Sequence, residues 1–377
     1  MRIGFDGKRA VQNFTGLGNY SRYVADILCH FYPENDYVLY APKKRKNKRM
    51  NLLTGQYRQL TLAYPATSFW KKLSSLWRVW GITSQLEKEG IELFHGLSNE
   101  LPLNIHKSRI KSIVTIHDLI FLRYPQYYQS IDRKIYTYKF RKACENADKI
   151  IAISECTKRD IIRYFNIPDD KIEVVYQGCD VSFTHPVTEE KKEEVRKKYQ
   201  LPDHYILNVG SIEERKNILA AVQALPMLPQ HIHIVIVGRR TGYTEKVEQF
   251  IKDNGLGERV HIISNVPFND LPAFYQSAEI FVYPSRFEGF GIPIIEALYS
   301  GIPVVAATGS CLEEAGGPDS IYVNPDDITG LADAFKQIYS NSDKRKNMVE
   351  KGREFAKRFS EKQQSEEIIN IYKKLIR

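Results

Sequence analysis

Residues 284–297 read PSRFEGFGIPIIEA, a stretch that places two carboxylates, Glu288 and Glu296, eight positions apart around a glycine-rich turn. Pro293 favours the first turn of a helix, because the amide hydrogen that proline lacks would be unbonded there, and Gly301 can end that helix. The glycines let the backbone approach a ligand closely, and the free amides of a helix N-terminus favour an anion. The stretch therefore predicts a strand–turn–helix corner at which one carboxylate meets a sugar hydroxyl and the other meets a ribose. An ordinary structural corner would explain the glycines and the proline, but not the two glutamates.

The length and the pattern of apolar residues predict two α/β domains. A chain of 377 residues is long enough for two hydrophobic cores. Apolar runs alternate with amphipathic stretches, which favours parallel sheets covered by helices. We predict domains at residues 1–182 and 183–359, followed by a C-terminal helix at 360–377. The predicted strands lie near Arg2–Phe5, Tyr37–Tyr40, Leu93–His95, Ser112–Thr115, Lys149–Ile153, Ile172–Val175, Tyr205–Val209, Ile232–Val237, Val260–Ile263, Ile280–Tyr283 and Pro303–Ala306.

The charge, cysteines and hydropathy argue against several classes of protein. The net charge is +9, and residues 1–180 hold 29 Lys and Arg against 18 Asp and Glu, so an anionic ligand or surface is expected for the first half. Five scattered cysteines without a Cys-x-x-Cys pair indicate reduced thiols and argue against a disulfide framework or a zinc site. No signal-peptide pattern and no run of about 20 apolar residues is visible. We therefore expect a cytoplasmic protein, and no nucleic-acid-binding module supports a nucleic-acid partner.

Two adjacent cations, Arg215 and Lys216, follow an apolar strand and open a helix in the segment VGSIEERKN at 209–217. They suit a diphosphate, because arginine offers a bidentate fork and lysine a point charge. A solvated charge cluster is the alternative interpretation, which the neighbouring glutamate pair makes less attractive. Gly210 and Gly238 each end a predicted strand, where the backbone can reach a nucleotide.

Three further segments follow predicted strands of the first half. Gly16 and Gly18 precede a helix, so their loop can bring backbone amides to a phosphate or to a reacting sugar, although a plain tight turn would also explain them. His117 and Asp118 come directly after an apolar strand, where a polar group can face a cleft. A histidine that caps a helix or binds a carbonyl is the alternative there. His95 also ends a strand and is a candidate for the acceptor side.

The stretch 284–297 resembles the C-terminal signature of the family 4 retaining glycosyltransferases, in which two glutamates are separated by seven residues and Gly-Phe-Gly-x-Pro follows the first. The resemblance extends to 210–217, where family members carry Arg-Lys-Asn, and to 115–119, which is similar to a motif whose histidine faces the donor sugar. This chain departs from the family pattern at Glu214, where many members have proline. It departs again at Asn265, which lies where Thr/Leu-Gly is common, and this leaves the base preference open.

The resemblance implies the GT-B fold, an α/β architecture of two Rossmann-like domains whose parallel sheets face a central cleft. It also implies that the final helix returns to the first domain. The residues expected to take part in catalysis are His117, Glu288, Arg215 and Lys216. Those assigned to the donor nucleotide are Gly16, Gly18, Gly210, Gly238, Asn265, Val266, Phe290, Gly291 and Glu296. His95 and Asp118 are assigned to the acceptor.

No Asp-x-Asp occurs in the chain. A metal-bridged diphosphate usually needs closely spaced carboxylates, and cationic side chains can supply the same electrostatic stabilisation. We therefore expect no metal and no other cofactor, with a nucleotide sugar as donor substrate.

A basic and aromatic segment of the first half has two interpretations. Lys43–Arg49 contains six cations, and the helix predicted at Phe69–Glu89 places Phe69, Leu73, Leu76, Trp77 and Trp80 on one face. A basic amphipathic helix with tryptophan suits the inner face of an anionic membrane. A helix packed into the core of the first domain is the alternative.

The predicted function is transfer of a hexosyl group with retention, as in bacterial polysaccharide-assembly mannosyltransferases. The donor would be GDP-mannose or a UDP-sugar, and the acceptor a glycan or a lipid-linked intermediate of surface polysaccharide or glycolipid assembly. The alternatives are another GT-B enzyme, such as a phosphorylase or a nucleotide-sugar epimerase, and a catalytically silent protein that binds sugar nucleotides.

Overall fold

The computed structural model describes residues 1–376, and the chain divides into two compact units. Unit 1 comprises Met1–Tyr176 together with the C-terminal helix that begins at Glu361, and unit 2 comprises Gln177–Ser360. The sequence-based boundary at residues 182 and 183 lies six residues beyond this division. The final helix packs against the helix Gly16–Phe31 of unit 1.

Unit 1 contains a parallel sheet of seven strands in the order β3-β2-β1-β4-β5-β6-β7. Its strands are β1 (Arg2–Asp6), β2 (Asp36–Tyr40), β3 (Leu60–Ala63), β4 (Leu93–Gly96), β5 (Lys111–Ile116), β6 (Lys149–Ala152) and β7 (Ile172–Val174). Helices cover both faces, which is why most strands are apolar at successive positions and do not alternate with polar residues. The helices are α1 (Lys8–Gln12), α2 (Gly16–Phe31), α3 (Lys48–Gln56), α4 (Ser68–Lys72), α5 (Ser74–Leu76), α6 (Ile82–Lys88), α7 (Ile120–Arg123), α8 (Ser130–Asn146) and α9 (Glu155–Phe165).

Unit 2 contains a parallel sheet of six strands in the order β10-β9-β8-β11-β12-β13. Its strands are β8 (Tyr205–Val209), β9 (His233–Val237), β10 (Val260–Ile263), β11 (Ile280–Tyr283), β12 (Val304–Ala307) and β13 (Ile321–Val323). Its helices are α10 (Glu189–Tyr199), α11 (Ile218–Ala224), α12 (Tyr243–Asp253), α13 (Leu271–Gln276), α14 (Ile292–Ser300), α15 (Leu312–Gly316), α16 (Ile328–Tyr339) and α17 (Ser342–Ala356). The last helix of the chain, α18 (Glu361–Ile376), belongs to unit 1.

The two faces of the unit 1 sheet form separate hydrophobic cores, because successive side chains of a strand point to opposite faces. Tyr37 and Leu39 of β2 pack in one cluster with residues of α2 and α18. Val38 and Tyr40 pack in the other, together with Trp77. The final helix is therefore a structural part of unit 1.

Both sheets share a strand order that reverses direction at one point. In each unit the first strand lies between the second strand and the fourth, so connections leave it in opposite directions. Open parallel sheets bind ligands at this switch point, beyond the carboxyl ends of the strands. The topology thus identifies the ends of β1 and β4 in unit 1, and of β8 and β11 in unit 2. The predicted α/β class with parallel sheets is confirmed.

The segment predicted as one helix at Phe69–Glu89 is instead α4, α5, a π-helical turn at Trp77–Gly81 and α6. A π-turn changes the direction of the side chains that follow it, so the five apolar residues do not share one face. Trp77 is fully buried, whereas the other four, Phe69, Leu73, Leu76 and Trp80, are exposed. The core interpretation therefore holds for Trp77 alone. Within residues 1–376, the helices are too short or too polar to cross a membrane.

Candidate functional site

Arg215 and Lys216 lie at the switch point of unit 2. They belong to a single 3₁₀ turn, Glu214–Lys216, which follows β8 and ends at Asn217 in the left-handed conformation (φ 55°). The amide of Arg286, just after β11, donates a hydrogen bond to the carbonyl oxygen of Arg215 over 2.9 Å. This bond joins the loops that follow the two strands, so the cations and the 284–297 stretch form one site.

Glu288 is the anionic centre of this site. One carboxylate oxygen lies 2.8 Å from Nη1 of Arg215, and the other lies 3.8 Å from Nζ of Lys216. The hydroxyl of Ser285 donates to the carboxylate over 2.9 Å, and that of Tyr283 over 3.1 Å. Tyr283 also accepts a hydrogen bond from Lys216 over 3.2 Å. The hydrogen bonds from Ser285 and Tyr283 therefore hold the Glu288 carboxylate in one position beside both cations.

The pKa values show how the charges stabilise one another. Burial alone would raise the pKa of Glu288, but Lys216 and Arg215 outweigh it and hold that pKa below its ordinary value. Burial would likewise lower the pKa of Lys216, but Tyr283 and Glu288 raise it. Among the buried groups, two cations and one carboxylate are therefore ionised in a desolvated site, and the more exposed carboxylate of Glu213 lies 3.6 Å from Arg215. Such a site favours an anionic ligand.

Two glycines permit close approach of the loops after β8 and β9. A Cβ on Gly238 would lie 1.7 Å from the carbonyl oxygen of Gly210, a distance too short for any residue other than glycine. Gly210 itself has a φ of +155°, and Nζ of Lys216 lies 2.9 Å from the place where its Cβ would be. Both glycines are thus explained by packing of the backbone and of Lys216, and their contact with a nucleotide stays a prediction.

Cys311 stabilises the turn at 288–291 by hydrogen bonding to its backbone. Its thiol donates to the carbonyl oxygen of Glu288 over 3.0 Å and to that of Phe290 over 2.8 Å. The Phe290 ring is buried against Phe359, with centroids 5.6 Å apart, so this side chain belongs to the core. Gly291 has a φ of +151°, which suits glycine at the start of α14. A contact of the donor with Phe290 would therefore have to use its backbone, and it stays a prediction.

Glu296 lies one turn into α14 and has a different environment from Glu288. Its Oε2 accepts a hydrogen bond from the Tyr275 hydroxyl over 2.6 Å. Burial is the main cause that raises the pKa of Glu296 to about 7, Asp180 adds to it, and the Tyr275 bond opposes it. The two glutamates of the motif therefore carry different charges near neutral pH, with Glu288 ionised and Glu296 titrating.

Asn265 and Val266, predicted to hold the base, follow β10 next to the Gly238 loop. Asn265 is exposed and has a φ of +60°. The preceding Ser264 donates a hydrogen bond to the carbonyl oxygen of Gly238 over 2.7 Å. This bond places the segment beside the loops that follow β8 and β9, and its contact with a base stays a prediction.

His95 lies in the core of unit 1, which differs from the prediction of an acceptor contact. It is 0% exposed, with Nδ1 2.6 Å from the Tyr372 hydroxyl and Nε2 2.8 Å from Oγ1 of Thr115. Tyr20 also bonds Thr115, over 3.2 Å. Both ring nitrogens are therefore used to tie β4 to β5 and to the final helix. Burial lowers the pKa of His95 to about 3, so the ring is neutral.

His117 is buried directly after β5. Its Nε2 donates to the carbonyl oxygen of Leu97 over 2.9 Å, and its ring meets Tyr20 edge-on at 4.6 Å between centroids. Burial lowers the pKa of His117 to about 4, so it stays neutral at physiological pH. Asp118 accepts a hydrogen bond from the amide of Ile120 over 3.1 Å at the start of α7. A neutral histidine can take part in hydrogen bonding to a sugar, and the roles of both residues stay predictions.

Gly16 and Gly18 lie inside the first turn of α2 and not in a loop before it, because the helix already begins at Gly16. A Cβ on Gly18 would lie 2.0 Å from the carbonyl oxygen of Asn13, so glycine is required there by packing. Gly16 is exposed and has open space around it. Of the two, Gly16 is the one at which a ligand could approach the helix N-terminus.

Sequence reasoning missed four side chains that support the predicted residues: Tyr283, Tyr275, Cys311 and Tyr372. Each is an ordinary apolar or aromatic residue in its local pattern, and only the tertiary contact shows its polar partner. In residues 1–376, no group of three or more His, Cys, Asp or Glu side chains is arranged to hold a metal ion.

Comparisons with known proteins agree with this geometry. The family model for group 1 glycosyl transferases matches residues 189–355, and the model for glycosyltransferase family 4 matches residues 21–183. The chain is 31% identical over 289 residues to O-antigen chain mannosyltransferase B of Escherichia coli, a match that covers 75% of this chain and 74% of that protein. It is 29% identical to the O-antigen chain mannosyltransferase RfbU of Salmonella typhimurium, over 60% of each chain.

A solved structure supports the fold. Anabaena Alr3699/HepE in complex with UDP is similar over the full length of both chains, with a TM-score of 0.78 and 17% sequence identity. Two parallel-sheet units of the GT-B type are therefore shown. The two family models and the E. coli relative settle the family: this chain belongs to the family 4, group 1 glycosyltransferases, and it is a glycosyltransferase.

Proposed function

We propose that this enzyme transfers a hexosyl group from a nucleotide-diphosphate sugar to a glycan or lipid-linked acceptor in the assembly of a surface polysaccharide or glycolipid. Mannosyl is the hexosyl group that we propose to test first. Retention of the anomeric configuration is part of the proposal. The mannosyl group and the pathway are taken from the names of the relatives, which are O-antigen chain mannosyltransferases.

The observation that carries the proposal is the buried group of two cations and one carboxylate at the unit 2 switch point. In the reaction, the bond between the anomeric carbon and the β-phosphate oxygen breaks, and the acceptor hydroxyl oxygen bonds to that carbon as its proton leaves. Negative charge then develops on the diphosphate. Arg215 and Lys216 are desolvated and fixed by Glu288 and Tyr283, so they can stabilise this charge without reorganisation.

The glutamates would act at different parts of the donor. Glu288, ionised beside the cations, suits a hydroxyl of the transferred sugar. Glu296 lies deeper in α14, where a carboxylate can accept hydrogen bonds from ribose hydroxyls. This division follows from their positions on either side of the helix N-terminus.

The donor is identified by a thermal-shift screen. GDP, UDP and ADP, each with and without their common sugars, are added to the wild type and to Lys216→Ala. We expect one nucleoside diphosphate to raise the melting temperature of the wild type and to raise that of the variant much less. The UDP in the Anabaena structure makes UDP-sugars the second series to test after GDP-mannose. No shift with any nucleotide would contradict the proposal.

Analysis of the reaction products of the same purified protein distinguishes the alternative functions. A phosphorylase would use inorganic phosphate as acceptor, and an epimerase would release an altered nucleotide sugar without an acceptor. A silent binding protein would give a thermal shift and no product. Mass spectrometry of the reaction products with and without phosphate therefore distinguishes all three from a transferase.

Metal independence is part of the proposal. The cationic pair can take the electrostatic role that a divalent metal has in other transferases. We expect turnover to persist in excess EDTA. Loss of turnover with the chelator and rescue by Mg²⁺ or Mn²⁺ would overturn this part.

We also propose that unit 1 binds the inner face of an anionic membrane, which would place the enzyme in the cytoplasm. The six cations of Lys43–Arg49 are all exposed, as are Phe69, Leu73, Leu76 and Trp80. Each cation near an anionic surface contributes about 1 kcal/mol. Cosedimentation with phosphatidylglycerol vesicles should be strong at low salt and weak at high salt. A variant with alanine at all six cations should stay in the supernatant, and a wild type that never sediments would contradict the proposal.

A further inference from the structure

Unit 1 contains an apolar groove outside the residues assigned above. It runs between the π-helical turn Trp77–Gly81 and α8, and has a volume of about 340 Å³. Small-molecule sites usually span roughly 300–1,000 Å³. Its floor is fixed on both sides, because the Leu103 amide donates to the carbonyl oxygen of Val79 over 2.9 Å and Asn146 donates to the carbonyl oxygen of Leu103 over 3.0 Å.

The α8 wall of this groove is an apolar helix face exposed to solvent. Ile135 and Tyr138 line the groove and are 44% and 57% exposed, and Ile131, one turn before Ile135 on the same helix, is 66% exposed. Val79 and Leu103 face them across the groove. Large apolar side chains that share one exposed face mark a surface that binds an apolar ligand.

The other end of the groove is charged and has an excess of positive charge. Arg78 pairs with Asp6 at the end of β1 and with Glu100, 2.5 Å from its carboxylate. Lys139 lies 3.7 Å from the same carboxylate of Glu100. Lys134, which also lines the groove, has no ion pair among residues 1–376. Among the charged residues that line the groove, Lys134 and Lys139 are cations and Glu100 is a carboxylate, which leaves one positive charge for an anion.

We propose that this groove binds a single-chain lipid phosphate, with the hydrocarbon chain along Val79, Ile135 and Tyr138 and the phosphate beside Lys134 and Lys139. An amphiphile with an anionic head complements both ends of the groove, whereas a purely polar glycan would leave the apolar wall exposed. The inference rests on the proposed function, in which this lipid phosphate carries the acceptor glycan.

The position in the sheet supports this assignment. Asp6 ends β1 and Glu100 follows β4, so the charged end of the groove lies at the switch point of unit 1. That is where an open parallel sheet presents a ligand. The π-turn that supplies Arg78 and Val79 is a type of irregularity often found at functional sites.

The test uses farnesyl diphosphate as probe, a single isoprenoid chain with an anionic head, in isothermal titration calorimetry with the full chain. We expect saturable binding at one site. Farnesol, which lacks the anion, and inorganic diphosphate, which lacks the chain, should each bind at least tenfold more weakly. Inorganic diphosphate that binds as well as the probe would show an anion site only and would overturn the proposal.

Two variants locate the site. Ile135→Glu should weaken farnesyl diphosphate roughly tenfold or more, because it places a charge where the chain is buried. Lys134→Glu should weaken it several-fold, and less at high salt. Leu52→Glu on α3 is the matched control, since Leu52 is also an exposed aliphatic residue of unit 1, and it should bind as the wild type does. All three substitutions are at exposed positions, and unchanged melting temperatures would show that the fold is kept.

The remaining experimental outcomes would show that something other than a lipid phosphate occupies the groove. If farnesyl diphosphate does not bind but Ile135→Glu abolishes vesicle sedimentation, the groove binds a bilayer and the proposal fails. If Ile135→Glu converts a dimer into a monomer in size-exclusion chromatography, a second copy covers it and the proposal also fails. Thermal shift with nucleotides separates the two hypotheses: nucleotide binding without farnesyl diphosphate binding overturns the groove alone. Farnesyl diphosphate binding without any nucleotide binding overturns its assignment as the acceptor carrier.

Discussion

At the end of β1 in unit 1, the guanidinium of Arg78 lies between two carboxylates, Asp6 and Glu100, and Lys139 lies 3.7 Å from Glu100. At the end of β8 in unit 2, two buried cations, Arg215 and Lys216, share the buried carboxylate of Glu288, and the more exposed Glu213 lies 3.6 Å from Arg215. The strand orders around these two points are the same. The shared topology therefore sets where a ligand binds in each unit. In unit 2 the cations that favour an anion are buried at the strand ends, whereas in unit 1 the carboxylates hold a buried arginine and the cations that line the groove, Lys134 and Lys139, lie nearer the surface.

The histidines extend the contrast. Unit 1 also buries two neutral rings, His95 and His117, which bond hydroxyl and carbonyl groups, whereas the side chains around Glu288 in unit 2 are ionised and stabilise one another. Hydrogen bonds between neutral groups fix the positions of the packed elements, whereas a group of ionised side chains also creates an electrostatic potential that acts on a charged ligand. We therefore expect substitutions around Glu288 to change chemistry and nucleotide binding, and substitution of His95 to change stability first.

The largest effect is expected from Lys216→Ala. Removing a preorganised cation from a developing diphosphate charge costs about 10²-fold or more in kcat. The fold should survive, because Glu288 keeps Arg215, Ser285 and Tyr283 as partners. Steady-state kinetics with the donor found in the screen would measure it. Lys252→Ala, at an exposed lysine of unit 2, is the control and should be fully active; an equally active Lys216→Ala would remove the cation pair from the mechanism.

Arg215→Ala should cost a similar factor but is a less direct test, because it also leaves Glu288 without its closest ion-pair partner. A buried carboxylate that loses its partner destabilises a protein by roughly 3–5 kcal/mol. The double variant Arg215→Ala, Glu288→Gln separates the two effects. Its melting temperature should recover relative to the single variant while its turnover stays low.

Glu288→Gln should lower kcat by about 10²-fold, the scale of losing one contact to the reacting centre. Binding of the nucleoside diphosphate should not weaken, because the substitution removes a negative charge beside both cations. Titration calorimetry with the nucleotide and kinetics with the nucleotide sugar would measure the two quantities separately. A variant that loses nucleotide affinity and keeps its turnover would show that the role of Glu288 is assigned wrongly.

Glu296→Gln should have a smaller effect, on binding and not on chemistry. A carboxyl group accepts hydrogen bonds from ribose hydroxyls more strongly when it is ionised, and the pKa of Glu296 is raised to about 7. Nucleotide affinity of the wild type should therefore strengthen as pH rises through about 7. The variant should lack this dependence and bind roughly tenfold more weakly at pH 8, the scale of a hydrogen bond to a charged group.

The matched control for Glu296 is Glu350→Gln, at an exposed glutamate of α17. It should keep the affinity of the wild type and its pH dependence. A Glu296→Gln variant whose affinity still rises with pH would place the titrating group elsewhere.

Eleven of the strands could be predicted because they are apolar runs bounded by turn residues. β3 and β13 could not, since Leu60–Ala63 and Ile321–Val323 are edge strands of only four and three residues, most of them not fully buried. The π-turn was also beyond sequence reasoning, because nothing local to Trp77 and Trp80 shows that one is buried and the other exposed. A sequence pattern predicts burial when buried positions repeat regularly along one helix or strand. Residues 68–88 form several short helical pieces, and the buried side changes at the π-turn.

The site was predictable to the extent that its residues are charged. Arg215, Lys216, Glu288 and Glu296 are of a kind that is rarely buried without a reason, and their order along the chain placed them near strand ends. His95 was misleading, since a histidine that ends a strand looks the same whether it faces a ligand or the core. Its partner Tyr372 is 277 residues away, and no local signal connects them.

The smallest effect, and the one that best sharpens the contrast between the units, is on stability against pH. Burial lowers the pKa of His95 to about 3 and of His117 to about 4, whereas an unfolded histidine titrates near about 6.5. Below that pH the unfolded chain binds more protons than the folded one, so the free energy of unfolding should fall as pH drops from about 6.5 to about 4. Glu296 has the opposite sign: its pKa is raised, so its contribution is full below about pH 4.5 and is lost as pH rises towards about 7.

Tryptophan fluorescence isolates the unit 1 response, because all three tryptophans, at 70, 77 and 80, lie in unit 1. Urea unfolding followed by this signal should show the acid-side loss of stability. His95→Phe should reduce that pH dependence and cost about 1–3 kcal/mol at pH 7, because the hydroxyls of Thr115 and Tyr372 lose their buried partner. His30→Gln, at an exposed histidine, should do neither. A His95→Phe variant as stable as the wild type, with unchanged pH dependence, would mean that the neutral network of unit 1 does not hold the final helix, and the contrast with unit 2 would fail.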